Sequence, residues 1–266
     1  VISSLLERWE LTPAGPPFAG GTAGTVVPVV RADGTEAVLK VTSPHHREAR
    51  EEAAGLRLWA GRGAVLLYEE DRSLWALLIE RCRPGSPVVE VADAAAVLNE
   101  LWSVPVPDPS PFETVADVCR EWAGLLRWRM AALRPPFDAG LVALGASLLE
   151  SLPASASRSV VVHGDFNPGN VLSASRRPWL AIDAKPMVGD PGYDPMPLLV
   201  QLGPGSTLVP RYEEFASLVG EPVERLYAWS VARLVESSLW HVSRHELSEG
   251  DGNFGLARRF AALAGL

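Results

Sequence analysis

Apolar residues follow two different periods along this chain, and the change divides it unequally. Over the first 82 residues the pattern is mostly that of short strands. An amphipathic helix over 3–9 is broken by Pro13, Gly15, Pro16 and Pro17. The β-branched run 26–30, the turn Asp33-Gly34 and the apolar run 37–41 then predict a hairpin. Residues 45–59 carry strong helix formers with acids in the early turns, and 65–68 and 74–79 predict two further strands joined by an acidic turn. From residue 92 onward the period is helical, over 92–102, 112–133, 139–152, 212–219, 222–240 and 256–266. Two short apolar strands, at 160–162 and 179–182, interrupt it. Pro105, Pro107, Pro109 and Pro111 form a stiff connector, and no internal repeat is present. A strand-rich third followed by a helical remainder predicts an α+β fold.

The chemistry concentrates around those two short strands. After Val160-Val161-Val162 come His163-Gly164-Asp165-Phe166-Asn167-Pro168-Gly169-Asn170. This is the H-x-D-x-x-x-x-N spacing of a kinase catalytic loop, where the Asp accepts a hydroxyl proton and the Asn holds a magnesium ion. Asp183 ends the next apolar strand, where kinases carry their other magnesium carboxylate. An Asx-rich turn between two buried strands is the plainer alternative. Further upstream, Lys40 lies within Val38-Leu39-Lys40-Val41 and matches the kinase V-A-I-K strand, although an edge lysine facing solvent would look the same. Its expected partner is Glu52, with Glu48 the second choice. The glycine-rich turn before the hairpin makes Gly21, Thr22 and Gly24 candidates for main-chain contact with phosphates; an ordinary tight turn also fits.

The strings HGDFNPGNVL and IDAKPMVGDPGYD resemble the aminoglycoside phosphotransferase family, in its streptomycin-kinase and hydroxyurea-resistance branch. The resemblance is strongest over 160–198 and weaker in the N-terminal third. It implies a two-lobed, protein-kinase-like fold, ATP as donor and a hydroxyl of a small molecule as acceptor, with Mg2+ at Asn170 and Asp183. It also implies a nucleotide-binding lobe over 1–82, a hinge near 80–86 and a helical lobe over 83–266. In the hinge, main-chain groups of Glu80 and Cys82 would meet the adenine edge. Lys185 would contact the transferred phosphoryl group, or else lie exposed in its loop. His163 is expected to anchor the catalytic loop, and Asp190 and Asp194 to cap the following helix and brace that loop.

Composition narrows the remaining classes. A formal net charge of −8 argues against a nucleic-acid partner. With 47% hydrophobic residues, no apolar run of membrane-spanning length and no signal-like opening, a soluble cytoplasmic protein is expected. Cys82 and Cys119 offer neither a disulfide framework nor a metal cluster. Lysine occurs only at Lys40 and Lys185 among 24 basic residues, so a coding bias toward arginine has spared these two positions. Net charge divides as −2 over 1–82 and −6 over 83–266. An acidic large lobe suits a cationic acceptor, with Glu113, Asp117 and Glu121 as one candidate wall and Glu236 with Trp240 as another; a solvated helix face is the plainer reading of both. A metabolic kinase for a sugar, amino alcohol or nucleoside-like acceptor stays open, as does a non-catalytic nucleotide-binding regulator.

Overall fold

The computed structural model describes residues 1–18, 24–43 and 50–266. Its N-terminal part is a five-stranded antiparallel sheet in the order β1-β2-β3-β5-β4, made of β1 (Thr12–Pro13), β2 (Gly24–Val30), β3 (Glu36–Thr42), β4 (Leu67–Asp71) and β5 (Ala76–Glu80). Because successive side chains point to opposite faces, these strands feed two cores. Ala37, Leu39, Ala76 and Leu78 pack with Leu5 of α1 (Ile2–Arg8) on one face. Val38, Leu77 and Ile79 join the main core on the other, together with Leu56 and Trp59 of α2 (Glu52–Trp59). Lys40 shares the parity of Val38 and therefore belongs to the α2 face.

That main core runs on into the helical part. There α3 (Val91–Trp102), α4 (Val115–Leu133), α5 (Ala139–Ser151), α6 (Pro195–Gln201), α7 (Leu208–Val219), α8 (Val223–Ser243) and α9 (Leu247–Ala264) surround two small ribbons. β6 (Val160–Val162) pairs with β9 (Met187–Gly189), and β7 (Val171–Ser173) pairs with β8 (Trp179–Ala181). On α4 the buried positions Val115, Cys119, Ala123 and Leu126 form one stripe at helical spacing. Burial pushes the thiol of Cys119, and likewise that of Cys82, up to about 12, so both act as small hydrophobes. No helix among the described residues is long and apolar enough to cross a membrane.

The architecture agrees with the expected α+β kinase-like class, but several elements are displaced. Strand β4 includes Glu69, Glu70 and Asp71, which the sequence pattern assigns to a turn. It lies at the sheet edge, where charged side chains are tolerated, and Glu70 pairs with Arg57 and Arg72. Helix α9 begins nine residues before its expected start, at Leu247. Gly250, Gly252 and Gly255 weaken the local signal; packing restores the helix, with Gly250 set so tightly that a Cβ there would lie 3.0 Å from the carbonyl oxygen of Ser238. Helix α6 follows Asp194, strand β9 had no separate sequence signal, and the two short strands expected at 160–162 and 179–182 do not pair with each other but enter two separate ribbons.

Candidate functional site

Two cavities flank the segment that joins β6 to β7. The first, of about 520 Å³, lies between the sheet and the helical part; Gly24, Val38, Lys40, Glu52, the stretch 79–85, Asn170, Leu172 and Asp183 contribute to its lining. The second, of about 390 Å³, is lined by Glu113, Glu121, Trp122, Asp165, Lys185, Tyr193 and Arg233 among others.

At the inner end of the first cavity, Lys40 lies 2.6 Å from Glu52 Oε2 and 2.5 Å from Asp183 Oδ1. Burial works against the Lys40 ammonium, but the charges of Glu52 and Asp183 outweigh it and its pKa is raised. Burial also opposes ionisation of Asp183, yet attraction to Lys40 keeps that carboxyl below its usual range. Glu52 is only 1% exposed and burial raises its pKa. Asp183, two residues beyond the end of β8, has φ +57°, a sparsely populated left-handed conformation for a residue with a side chain.

The loop before β7 is held by main-chain donors and aromatic packing. Asp194 accepts hydrogen bonds from the N–H groups of His163 (2.7 Å) and Gly164 (2.8 Å) and from Trp102 Nε1 (3.1 Å). His163 is fully buried, and that burial lowers its pKa. With Nδ1 accepting from Asp165 N–H at 3.3 Å and Nε2 donating to Ile182 O at 3.0 Å, the neutral ring uses both nitrogens for structure. Trp59 stacks on it at 6.4 Å and Phe166 meets it edge-on at 5.5 Å. Gly164 has φ +86°, and a Cβ there would lie 1.9 Å from the carbonyl oxygen of Lys185, so a side chain is excluded where the two loops abut.

Asp165 then projects into the second cavity, with Oδ2 3.1 Å from Lys185 Nζ. The Asn170 amide nitrogen donates to the Asp165 carbonyl at 2.9 Å, leaving its side-chain oxygen as the end that can meet a cation. Among the described residues no group of three or more His, Cys, Asp or Glu could hold a metal. The oxygens of Asn170 and Asp183 beside one cavity nevertheless fit magnesium, which is typically held by few protein ligands, with water and phosphate oxygens completing its octahedron.

The characteristic sequence of the aminoglycoside/hydroxyurea antibiotic resistance kinases matches this chain over residues 8–244. The chain belongs to that family. It is 39% identical to a hydroxyurea phosphotransferase of Kitasatospora aureofaciens, over 99% of this chain and 76% of the relative. A streptomycin 6-kinase of Streptomyces glaucescens is 33% identical, over 91% of this chain and 82% of its own length. In fold the chain is similar to a choline kinase of Streptococcus pneumoniae, with a TM-score of 0.70, 14% identity and coverage of 98% and 96% of the two chains. As a member of the family it is a small-molecule phosphotransferase.

In this kinase, side chains expected from sequence converge in part. Lys40, Glu52, Asn170 and Asp183 line the first cavity with Gly24, Glu80 and Cys82, whereas Asp165 and Lys185 line the second. Gly21, Thr22 and Glu48 lie outside the described residues, as do His45 and His46. The supposed acidic wall divides: Glu113 and Glu121 reach the second cavity, but exposed Asp117 bonds Thr114 and Arg120 at the start of α4. Because α4 begins at Val115, Glu113 precedes the helix and the three acids do not share one helical face. Glu236 pairs with Arg129 at 2.6 Å, and Trp240 carries the Arg244 guanidinium over its ring; neither lines that cavity.

The two later aspartates have different tasks. Asp190 caps the short turn 191–193 and accepts from Arg225 and Trp229 of α8, while Asp194 braces the catalytic-type loop. Sequence reasoning missed Trp122, Tyr193 and Arg233 as cavity-lining residues. Arg233 lies 4.3 Å above the Tyr193 ring and donates to its carbonyl, a contact between segments 40 residues apart that no local pattern announces.

Proposed function

We propose that this protein transfers the γ-phosphate of ATP to a hydroxyl of a small, cationic, antibiotic-type molecule in the cytoplasm. The observation that carries the reading is the position of Asp165 and Lys185 in one cavity while Asn170, Asp183 and Lys40 line the other, next to it. The nucleotide would occupy the first cavity, between a lobe of residues 1–82 and one of 83–266, with the hinge at 80–86. Main-chain groups of Glu80 and Cys82 would meet adenine, and Gly24 and Lys40 the phosphates, with Glu52 steadying Lys40. Asn170 and Asp183 would hold Mg2+, which when bound neutralises charge on the phosphate oxygens.

Asp165 orients the acceptor hydroxyl and takes its proton as the new P–O bond forms and the bond from the γ-phosphorus to the bridging oxygen of ADP breaks, with ADP as the leaving group. Lys185, now paired with Asp165, is close enough to that base to meet the incoming phosphoryl group and offset its charge. Both His163 nitrogens are engaged, which leaves Asp165 as the base. Rate then comes from alignment and charge neutralisation, without a covalent enzyme intermediate.

Glu113 and Glu121 beside the Trp122 ring support a cationic acceptor, since carboxylates and an aromatic face both attract positive charge. By their names, the relatives phosphorylate hydroxyurea and streptomycin. ATP turnover measured with streptomycin, hydroxyurea, choline and simple sugars tests the reading. Transfer to streptomycin or another cationic antibiotic supports it; transfer confined to sugars or amino alcohols favours a metabolic kinase, and nucleotide binding without any transfer favours a regulator.

Two aspartates only seven residues apart should respond differently. Asp183→Ala is expected to weaken magnesium-dependent nucleotide binding at least tenfold, as read by titration with and without Mg2+. Asp190→Ala should instead cost about 3–5 kcal/mol of stability, because Arg225 loses its buried partner. Equal thermal destabilisation with intact magnesium dependence in both variants would reverse this division.

A further inference from the structure

The β7–β8 ribbon has chemistry at its base and an anchor at its tip. β7 starts immediately after Asn170, and β8 ends two residues before Asp183. At the tip, Ser173 exchanges main-chain bonds with the hinge, accepting from Gly85 N at 3.0 Å and donating to Ser86 O at 2.9 Å, while its hydroxyl accepts from Ser86 N at 2.9 Å. The Ser175 hydroxyl donates to Arg83 O at 3.2 Å.

Arg176, in the turn, reaches furthest. Its Nε lies 2.9 and 3.0 Å from the two Glu80 carboxylate oxygens and its Nη2 lies 2.8 Å from Oε2. The same guanidinium donates to the carbonyls of Gly61 at 2.8 Å and Ala64 at 2.9 Å. Glu80 also accepts from Leu66 N–H at 3.0 Å, so its side chain is committed to this clamp, and with its own N–H donating to Leu66 O at 2.8 Å only its carbonyl is left to face a ligand. A planar fork that meets a carboxylate side-on and two carbonyls fixes orientation as well as distance, which a lysine ammonium cannot do.

We propose that Arg176 is a positioning residue for the nucleotide. Through Glu80 it sets the main chain of the hinge, where adenine binds, at a constant separation from Asn170 and Asp183, where the phosphates bind. The three-residue strands of the ribbon supply a rigid spacer of about 10 Å. Arg176 touches neither end of the ligand; it keeps the two ends of the site in register. The inference rests on the nucleotide reading of the first cavity.

Its consequence is selective. Loss of the clamp should loosen the adenine end and spare the phosphate end. The test compares the dissociation constants of adenosine and inorganic tripolyphosphate, together with KM for ATP and for the acceptor, in wild type, Arg176→Lys, Arg176→Ala and Glu80→Gln, each below its own melting temperature. Arg176→Ala is expected to weaken adenosine binding and raise KM for ATP at least tenfold. Tripolyphosphate affinity and acceptor KM should stay within about threefold, with Arg176→Lys and Glu80→Gln intermediate. If Arg176→Ala does not fold, the other two variants carry the same comparison. Equal losses for adenosine and tripolyphosphate, or lowered melting temperatures with unchanged adenosine affinity, would overturn the proposal and leave Arg176 a structural residue. A wild-type protein that binds neither adenosine nor ATP would instead overturn the nucleotide reading itself.

Discussion

Asp165→Ala is expected to lower turnover by two to four orders of magnitude while leaving ATP affinity within a few-fold. Positioned general bases contribute about 10²–10⁴ in rate, corresponding to about 2.7–5.5 kcal/mol of transition-state stabilisation. The side chain projects into the second cavity, away from the Lys40–Asp183 pair, so the nucleotide should still bind. Asp165→Asn keeps the shape but removes the basic oxygen, and should lose nearly as much. Steady-state kinetics with saturating acceptor, alongside direct nucleotide titration, reads both quantities. Near-normal turnover in either variant would show that Asp165 is not the essential base.

Lys40→Arg should reduce turnover by about 100-fold, or 2.7 kcal/mol, although charge is conserved. The Lys40 side chain is only 11% exposed and its ammonium sits between Glu52 and Asp183. A guanidinium is larger and planar, and cannot occupy that point without displacing one carboxylate. Removing the cation altogether, as in Lys40→Met, would also leave Glu52 buried without its partner, at a stability cost of about 3–5 kcal/mol. That is why the arginine variant is the sharper probe. Lys185 is 35% exposed in its loop and should tolerate arginine better. Wild-type kinetics in both Lys185→Arg and Lys185→Ala would remove Lys185 from the active site; wild-type kinetics in Lys40→Arg would remove the need for an ammonium there.

The parts of this molecule that could be read from sequence are those in which a local run carries its own geometry. His163, Asp165 and Asn170 occupy one short turn between strands, so their spacing already reflects how the loop must bend. Lys40 could be placed on its strand, and the alternation of Val38, Leu39 and Lys40 determined which side chains share a face. Glu52 carries a weaker local signal, since its pairing depends on how α2 lies over the sheet; there its Oε2 accepts from Lys40 Nζ at 2.6 Å.

Other features had almost no local signal because their stabilising partners lie far along the chain. The Arg176–Glu80 clamp joins residues 96 apart, and Lys40 meets Asp183 across 143 residues. Asp117 has the right charge and spacing for a ligand wall, yet Thr114 and Arg120 claim it at the surface; only the position of α4 distinguishes it from Glu121.

By itself, therefore, the sequence determined the strand-rich and helical divisions, the chemical identity of the catalytic-type loop and the lysine on its strand, because hydrophobic period and short-range spacing act over a few residues. Tertiary structure alone decided that β6 pairs with β9 and β7 with β8, that Asp190 anchors α8 while Asp194 holds the loop, and that Trp122 and Arg233 line the second cavity. Those outcomes depend on which distant surfaces bury one another, and a buried contact is a property of two segments at once.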